Sequence, residues 1–198
     1  MSACENGHTG VVQLLLDRGA SIDMIDEEGS SLLIAAAECG HASVARLLIK
    51  HGALIDLANL EGWTALMRAS ENDCDEVVSV LVENGAGMNI QRPNGDTALL
   101  TASENGNYDS VKLLVENGAS IDLAAEDGNT PLISAADTGH AAVVKLLLDH
   151  GASIDVVNNE GWTALMSATV GGYSDVASLL LSKGLTWILR DKMGLLLS

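Results

Sequence analysis

The chain has 198 residues, of which 47% are hydrophobic but only 3% aromatic, with no Phe, so any core must be built from Leu, Ile, Val and Ala. Asp and Glu number 27 against 10 Lys and Arg, a formal net charge of -17. A field of that sign repels phosphate backbones and anionic lipid and attracts basic protein segments, so nucleic acid and membrane surfaces are not the expected partners. Cys4, Cys39 and Cys74 form neither a CxxC pair nor an even set, which is the cysteine usage of a reducing, intracellular (cytoplasmic or nuclear) compartment. No apolar stretch approaches the ~20 residues a membrane span needs, and the N-terminus does not read as a signal peptide.

The glycines fall into register every 33 residues: Gly29, Gly62, Gly95, Gly128, Gly161 and Gly194 form one series, and Gly19, Gly52, Gly85, Gly118, Gly151 and Gly184 a second. Apolar columns share the period, with Leu33, Leu66, Leu99, Leu132 and Leu165; Ala3, Ala36, Ala69, Ala102, Ala135 and Ala168; and Leu15, Leu48, Leu81, Leu114, Leu147 and Leu180. A strict period of this length is the mark of a solenoid. Along the chain, the Asn-Gly pairs at 84, 105 and 117 each follow a helical pattern and are read as helix ends rather than hairpin turns. The plainest unit starts at Thr130, which is placed to cap a helix opening on Pro131 and stopping at Gly139. A second helix is predicted from Ala141 to about His150, with Val143, Val144, Leu146, Leu147 and Leu148 on its apolar face, and Gly151 ends it. Ile154 then points inward from an extended connection. Asn59-Leu60-Glu61-Gly62-Trp63-Thr64-Ala65-Leu66-Met67 recurs 99 residues on as Asn158-Asn159-Glu160-Gly161-Trp162-Thr163-Ala164-Leu165-Met166, the sign of a duplicated three-period block. At roughly 8–10 Å per period, the two copies stand about 30 Å apart.

Asp127-Gly128-Asn129-Thr130-Pro131-Leu132, Ala135-Ala136, Gly139-His140, Val143 to Leu148 and Gly151-Ala152 together resemble an ankyrin repeat, and the resemblance runs through essentially the whole chain. It implies an all-α solenoid of stacked helix-turn-helix units with projecting β-hairpin or loop tips. A partial repeat at 1–25 precedes full repeats at 26–58, 59–91, 92–124, 125–157 and 158–190 and a stub at 191–198, in which Leu195-Leu196-Leu197 makes a poor cap. Where the family has the His of Thr-Pro-Leu-His, Ile34, Met67, Leu100, Ile133 and Met166 stand here, exchanging a polar network for apolar packing. Asp73 replaces the glycine between the helices of its repeat.

Chemistry is sparse. His8, His41, His51, His140 and His150 occupy two columns whose members lie about 8–10 Å apart, too far to share a zinc ion; helix-end histidines are the expected reading. Asp73-Cys74-Asp75-Glu76 lacks the spacing of a calcium loop. Cys39 and Cys74 are read as half-buried, a reactive thiol being the alternative. No catalytic motif and no cofactor site is expected.

The resemblance points to the concave face of hairpin tips and first helices as the partner surface. The matching tip positions include Glu28, Glu61, Trp63, Asp96, Asp127, Glu160 and Trp162, and the first helices add Glu38, Arg68, Glu71, Glu104 and Asp137. The stripe is acidic with two tryptophans, read as anchors because Trp is enriched at binding hot spots. The alternatives are solvated charges that keep the array soluble and, for the tryptophans, packing against the neighbouring tip. The resemblance also implies Asn89, with Leu81 eight residues upstream, as a substrate for an asparaginyl hydroxylase. The expected function is a non-catalytic scaffold binding a basic protein segment. The alternatives are a structural fragment of a larger repeat protein and a designed or reconstructed repeat sequence without a natural partner.

Overall fold

The computed structural model describes residues 1–183; the C-terminal stub with Leu195 to Leu197, the end of the 158–190 repeat, and Gly184 and Gly194 of the glycine series lie outside them. Twelve helices run in pairs: α1 (Ser2–Glu5) with α2 (Thr9–Asp17), α3 (Leu32–Glu38) with α4 (Ala42–Lys50), α5 (Ala65–Glu71) with α6 (Asp75–Glu83), α7 (Ala98–Asn105) with α8 (Tyr108–Glu116), α9 (Pro131–Asp137) with α10 (Ala141–Asp149), and α11 (Ala164–Val170) with α12 (Ser174–Ser182). The odd-numbered helices pack in one row and the even-numbered in another, each touching its own pair and the units on either side. This is the all-helical solenoid that the 33-residue period predicts.

The first helix of each full unit starts for the same reason. Ser31, Thr64, Thr97, Thr130 and Thr163 sit in extended backbone, and each hydroxyl accepts the amide of the residue three along, Ile34, Met67, Leu100, Ile133 and Met166, at 3.2 to 3.4 Å. Each such cap stabilises its helix by about 1 kcal/mol. Between the two helices the chain turns through a left-handed residue. That residue is glycine in every unit but one, and Asp73, at φ 57, is the sole non-glycine with positive φ among the described residues. The Asn-Gly pairs end helices as expected, with Gly85, Gly106 and Gly118 all left-handed.

Ala36, Ala69, Ala102, Ala135 and Ala168 have no exposed surface, and neither do Leu48, Leu81, Leu114, Leu147 and Leu180. The alanine column lets neighbouring first helices approach closely, and the leucines fill the space between pairs. Ile34, Met67, Leu100 and Ile133 are buried, so apolar packing replaces the polar network of the family's histidine.

Four of the five histidines, His41, His51, His140 and His150, cap helix ends. In one column, His41 Nε2 donates to Glu5 O at 2.9 Å and His140 Nε2 to Glu104 O at 3.0 Å, each reaching the end of the preceding unit's first helix. Asn107, in the same column, donates through Nδ2 to Ser70 O at 2.8 Å and Glu71 O at 2.9 Å. In the other column, His51 and His150 donate through Nδ1 to the carbonyls of Leu47 and Leu146, each at 2.9 Å. These side chains satisfy carbonyls that a helix end leaves unpaired.

Of the hairpin or loop tips expected, the loop form is the one seen. Among the described residues, one isolated antiparallel bridge, Ile25 to Ser31, is the only strand pairing. Each tip instead closes within five residues: Asn59 N donates to Trp63 O at 3.0 Å and Asn158 N to Trp162 O at 3.0 Å, with parallel bonds at Asp26, Arg92 and Ala125. In three tips the first side chain also holds the turn. Asn59 Oδ1 accepts from Glu61 N and Trp63 N, Asn158 Oδ1 from Glu160 N and Trp162 N, and Asp26 Oδ1 from Glu28 N and Ser30 N. A turn anchored this way leaves no length for a ladder. Gly95 shows why the fourth position is glycine: its φ is 86°, and a Cβ there would stand 2.5 Å from the amide nitrogen of Glu126 on the next tip.

Candidate functional site

The tips and first helices form one continuous face, and the candidate residues divide on it into an acidic stretch and a clamped aromatic. The chain crowds carboxylates along this face because residues 38, 71, 104 and 137, one period apart, are all acidic at the ends of successive first helices. Glu38, Glu104 and Asp137 are exposed and Glu71 is half-buried; on the tips, Glu28, Glu61, Asp127 and Glu160 are exposed and Asp96 is half-buried. Although it reaches solvent, the Glu104 carboxyl is held above its ordinary value of 4.5, first by partial desolvation and then by repulsion from Asp96, Asp127, Asp137 and Glu71. Those five groups from three units therefore make one electrostatic cluster.

Trp63 is packed into the array. It is only 7% exposed, and its ring lies under two guanidiniums, Arg68 Cζ at 4.1 Å and Arg92 Cζ at 3.7 Å from the ring centre. Two flat groups that close cannot share one face, since carbon contacts are about 3.5 Å deep, so the arginines lie on opposite sides. Trp63 Nε1 donates to Glu61 Oε2 at 3.2 Å, Arg68 pairs with Glu71 at 2.9 Å and Arg92 with Asp96 at 3.4 Å. Of the two readings offered for this residue, a binding anchor and packing against the neighbouring tip, the second describes its surroundings: the neighbouring tip supplies Arg92 and the first helix of its own unit supplies Arg68, and the ring is packed against both. Sequence reasoning named Arg68 and missed Arg92. The signal was present, because residue 92 opens the tip one period after the one opened by Asn59.

Trp162 repeats the backbone of Trp63 but not its surroundings. It is half-buried, and among the described residues no cation lies over it. Ser167 stands where Arg68 stands in the first copy.

Asn89 is exposed, and its Oδ1 accepts Ser120 N at 2.8 Å, just as Asp56 Oδ1 accepts Gly87 N at 2.8 Å and Asp122 Oδ1 accepts Ser153 N at 2.9 Å. These three members of the column each staple their unit to the next. Cys39 is exposed rather than half-buried, Cys74 is half-buried, and burial followed by nearby carboxylates raises both thiols above their ordinary value, opposite to the direction that activates a nucleophile. Among the described residues no group of three or more His, Cys, Asp or Glu is arranged to hold a metal ion, and no helix is long and apolar enough to cross a membrane.

A family model described as "Ankyrin repeats (3 copies)" matches residues 1–92, 55–125, 72–158 and 99–191. No curated protein matches the chain.

Proposed function

Because the chain belongs to the ankyrin repeat family, whose arrays are generally protein–protein interaction modules, we propose that its tip-and-first-helix face, the concave face of such arrays, binds a basic segment of a protein partner without catalysis. The observation that carries this reading is the carboxylate cluster around Glu104. Glu71 and Asp96 are each paired with an arginine of the chain, whereas Glu104, Asp127 and Asp137 are exposed without a basic partner among the described residues, and a cationic segment there gains attraction and relieves the repulsion felt by Glu104. Glu28, Glu38, Glu61 and Glu160 extend the same field along the array and steer approach. Trp63 and Arg68 we assign to the array itself, since each is already engaged within the chain. The compartment that suits three free cysteines and a net charge of -17 is intracellular.

The test is binding of a flexible peptide of alternating lysine and glycine to the full chain, followed by stopped flow. Association should slow steeply between 0.1 and 1 M salt, as the screening length falls from about 10 to about 3 Å. The triple substitution Glu104→Gln, Asp127→Asn, Asp137→Asn should flatten that salt dependence. Binding with the same salt slope in wild type and triple variant would overturn the assignment of the face.

A second reading, a structural array, is favoured by α2. Leu15 is 48% exposed, while its column is otherwise fully buried, and Val11 and Leu14 are also exposed there. That face suits packing against a further repeat unit. Scattering measurements showing no self-association, and none on adding ankyrin units in trans, would count against it.

A further inference from the structure

We propose that the exposed part of the half-buried Trp162 ring is a receptor for an arginine side chain of the partner, and that the Trp63 tip displays the equivalent ring already engaged from within the chain. The inference rests on the acidic-face reading for the sign of the partner's charge, and deepens it by naming the group recognised. The duplicated block makes the comparison a controlled one. Both tips close with a 3.0 Å bond from the asparagine amide to the tryptophan carbonyl. In both the asparagine side chain accepts the tryptophan amide, at 3.0 Å for Trp63 and 2.9 Å for Trp162. Gly62 and Gly161 share a φ of 83°, and Thr64 and Thr163 cap the following helix through 3.3 Å bonds to Met67 and Met166. The backbone thus holds the two tips alike, and the residues around the indoles differ.

In the first copy, Arg68 rises from the first helix to lay its guanidinium over the ring at 4.1 Å, and Glu71, one turn on, pairs with it at 2.9 Å. In the second copy those positions are Ser167 and Val170. Serine carries no cation to place over the ring, and Ser167 is itself buried. What the second copy retains is the acceptor: Glu160, equivalent to the Glu61 that takes the Trp63 indole N–H, is exposed. Val170, 62% exposed, offers an apolar surface where Glu71 stood, suited to the methylene stem of an incoming arginine. An aromatic face, a free carboxylate and an apolar wall are the three contacts a guanidinium and its stem require.

The experiment follows the indole N–H resonances of the full chain by NMR, Trp162 being assigned with Trp162→Phe, during titration with N-acetyl-arginine amide and with its neutral isostere, N-acetyl-citrulline amide. The Trp162 resonance should shift in a saturable way with the arginine compound and bind the citrulline compound roughly two- to five-fold more weakly. Ser167→Arg, which fills the site from within, should abolish the response, while Arg68→Ser should open the first copy and create a response at Trp63. Equal responses to both compounds, or an undiminished response in Ser167→Arg with unchanged circular dichroism, would overturn the proposal. If Trp162 is silent while the lysine–glycine peptide still binds in a carboxylate-dependent way, this site falls and the acidic-face reading stands. If Trp162 responds while the triple carboxylate substitution leaves the peptide unaffected, the site is supported and the broader reading falls.

Discussion

Replacing each tryptophan by alanine separates a structural indole from a surface one. Trp63 is 7% exposed and stacked by two arginines. A tryptophan buries about 150–250 Å², which at roughly 25 cal/mol per Å² corresponds to about 4–6 kcal/mol of gross burial. After allowing for the Cβ that alanine keeps, Trp63→Ala should cost about 3–5 kcal/mol, and it also leaves Arg68 and Arg92 with one partner fewer. Trp162 is half-buried, and Trp162→Ala should cost markedly less. Because repeat arrays lose structure unit by unit, the assay is hydrogen exchange resolved along the chain, reading protection at Leu66 and Met67 for the first variant and at Leu165 and Met166 for the second. Trp63→Phe keeps a ring between the guanidiniums and loses only the bond to Glu61, at a cost nearer 1 kcal/mol. Equal loss of protection in the two alanine variants would refute the reasoning, because it would mean that the stacking about Trp63 adds nothing to the array.

Four further outcomes are expected. Asp73→Gly should stabilise the α5–α6 unit by about 0.5–1 kcal/mol in urea denaturation, since Asp73 holds a left-handed φ of 57° that glycine adopts without strain. Asn107→Ala should cost about 1–2 kcal/mol by removing both bonds to the end of α5, whereas Asn107→His, the residue its column carries at 41 and 140, should be nearly neutral by the same measurement. The raised Glu104 carboxyl means that the folded state binds this proton more tightly than the unfolded, so its contribution is most favourable below pH 4.5 and is lost as pH rises through its raised value. Glu104→Gln should accordingly raise the denaturation midpoint at pH 7 and flatten that limb of the pH profile. Asn89 is proposed as a hydroxylation substrate: mass spectrometry after incubation with an asparaginyl hydroxylase should find one added oxygen there, delayed by the need to open its bond to Ser120, and no mass change would end the proposal.

The fold was legible because its determinants repeat. The threonine caps, the alanine and leucine columns and the left-handed glycines each do one local job, and a period of 33 states that job five or six times over. Even the exception at Asp73 could be read, since its neighbours in the column say what the position demands. The tips were less legible: nothing local distinguishes a short hairpin from a turn closed by the side chains of Asn59 or Asn158, which satisfy the amides a second strand would otherwise take. At the candidate site the acidic positions are plain in the sequence, while the surroundings of the aromatics were left open between two readings. Trp63 and Trp162 sit in nearly identical sequence, and what distinguishes them lies five residues on, at Arg68 or Ser167, while the second cation over Trp63 comes from Arg92, 29 residues on, in the next tip. In a one-dimensional array, burial at a tip is set by the adjacent column members, and local sequence identity does not carry it.

The clamp about Trp63 also answers a defect elsewhere on the same face. Successive tips are joined by a backbone bond from the second residue of one tip to the third of the tip before: Leu60 N to Glu28 O at 3.0 Å, Glu126 N to Asn94 O at 2.9 Å and Asn159 N to Asp127 O at 2.9 Å. At the fourth junction the donor position is Pro93, which has no N–H to give. There Arg92 Nε reaches the waiting carbonyl of Glu61 at 3.4 Å, and the same guanidinium stacks on Trp63 at 3.7 Å and pairs with Asp96. One side chain thereby supplies the missing donor and a lateral contact that the other junctions obtain from the main chain. Trp63 is buried beside this junction, and Arg92 holds the joint with Asp96 as its carboxylate partner. The acidic face and the mechanical continuity of the array are in this region the work of the same residues, so a partner that competes for Asp96 or Glu61 there also bears on how firmly the second and third tips are joined.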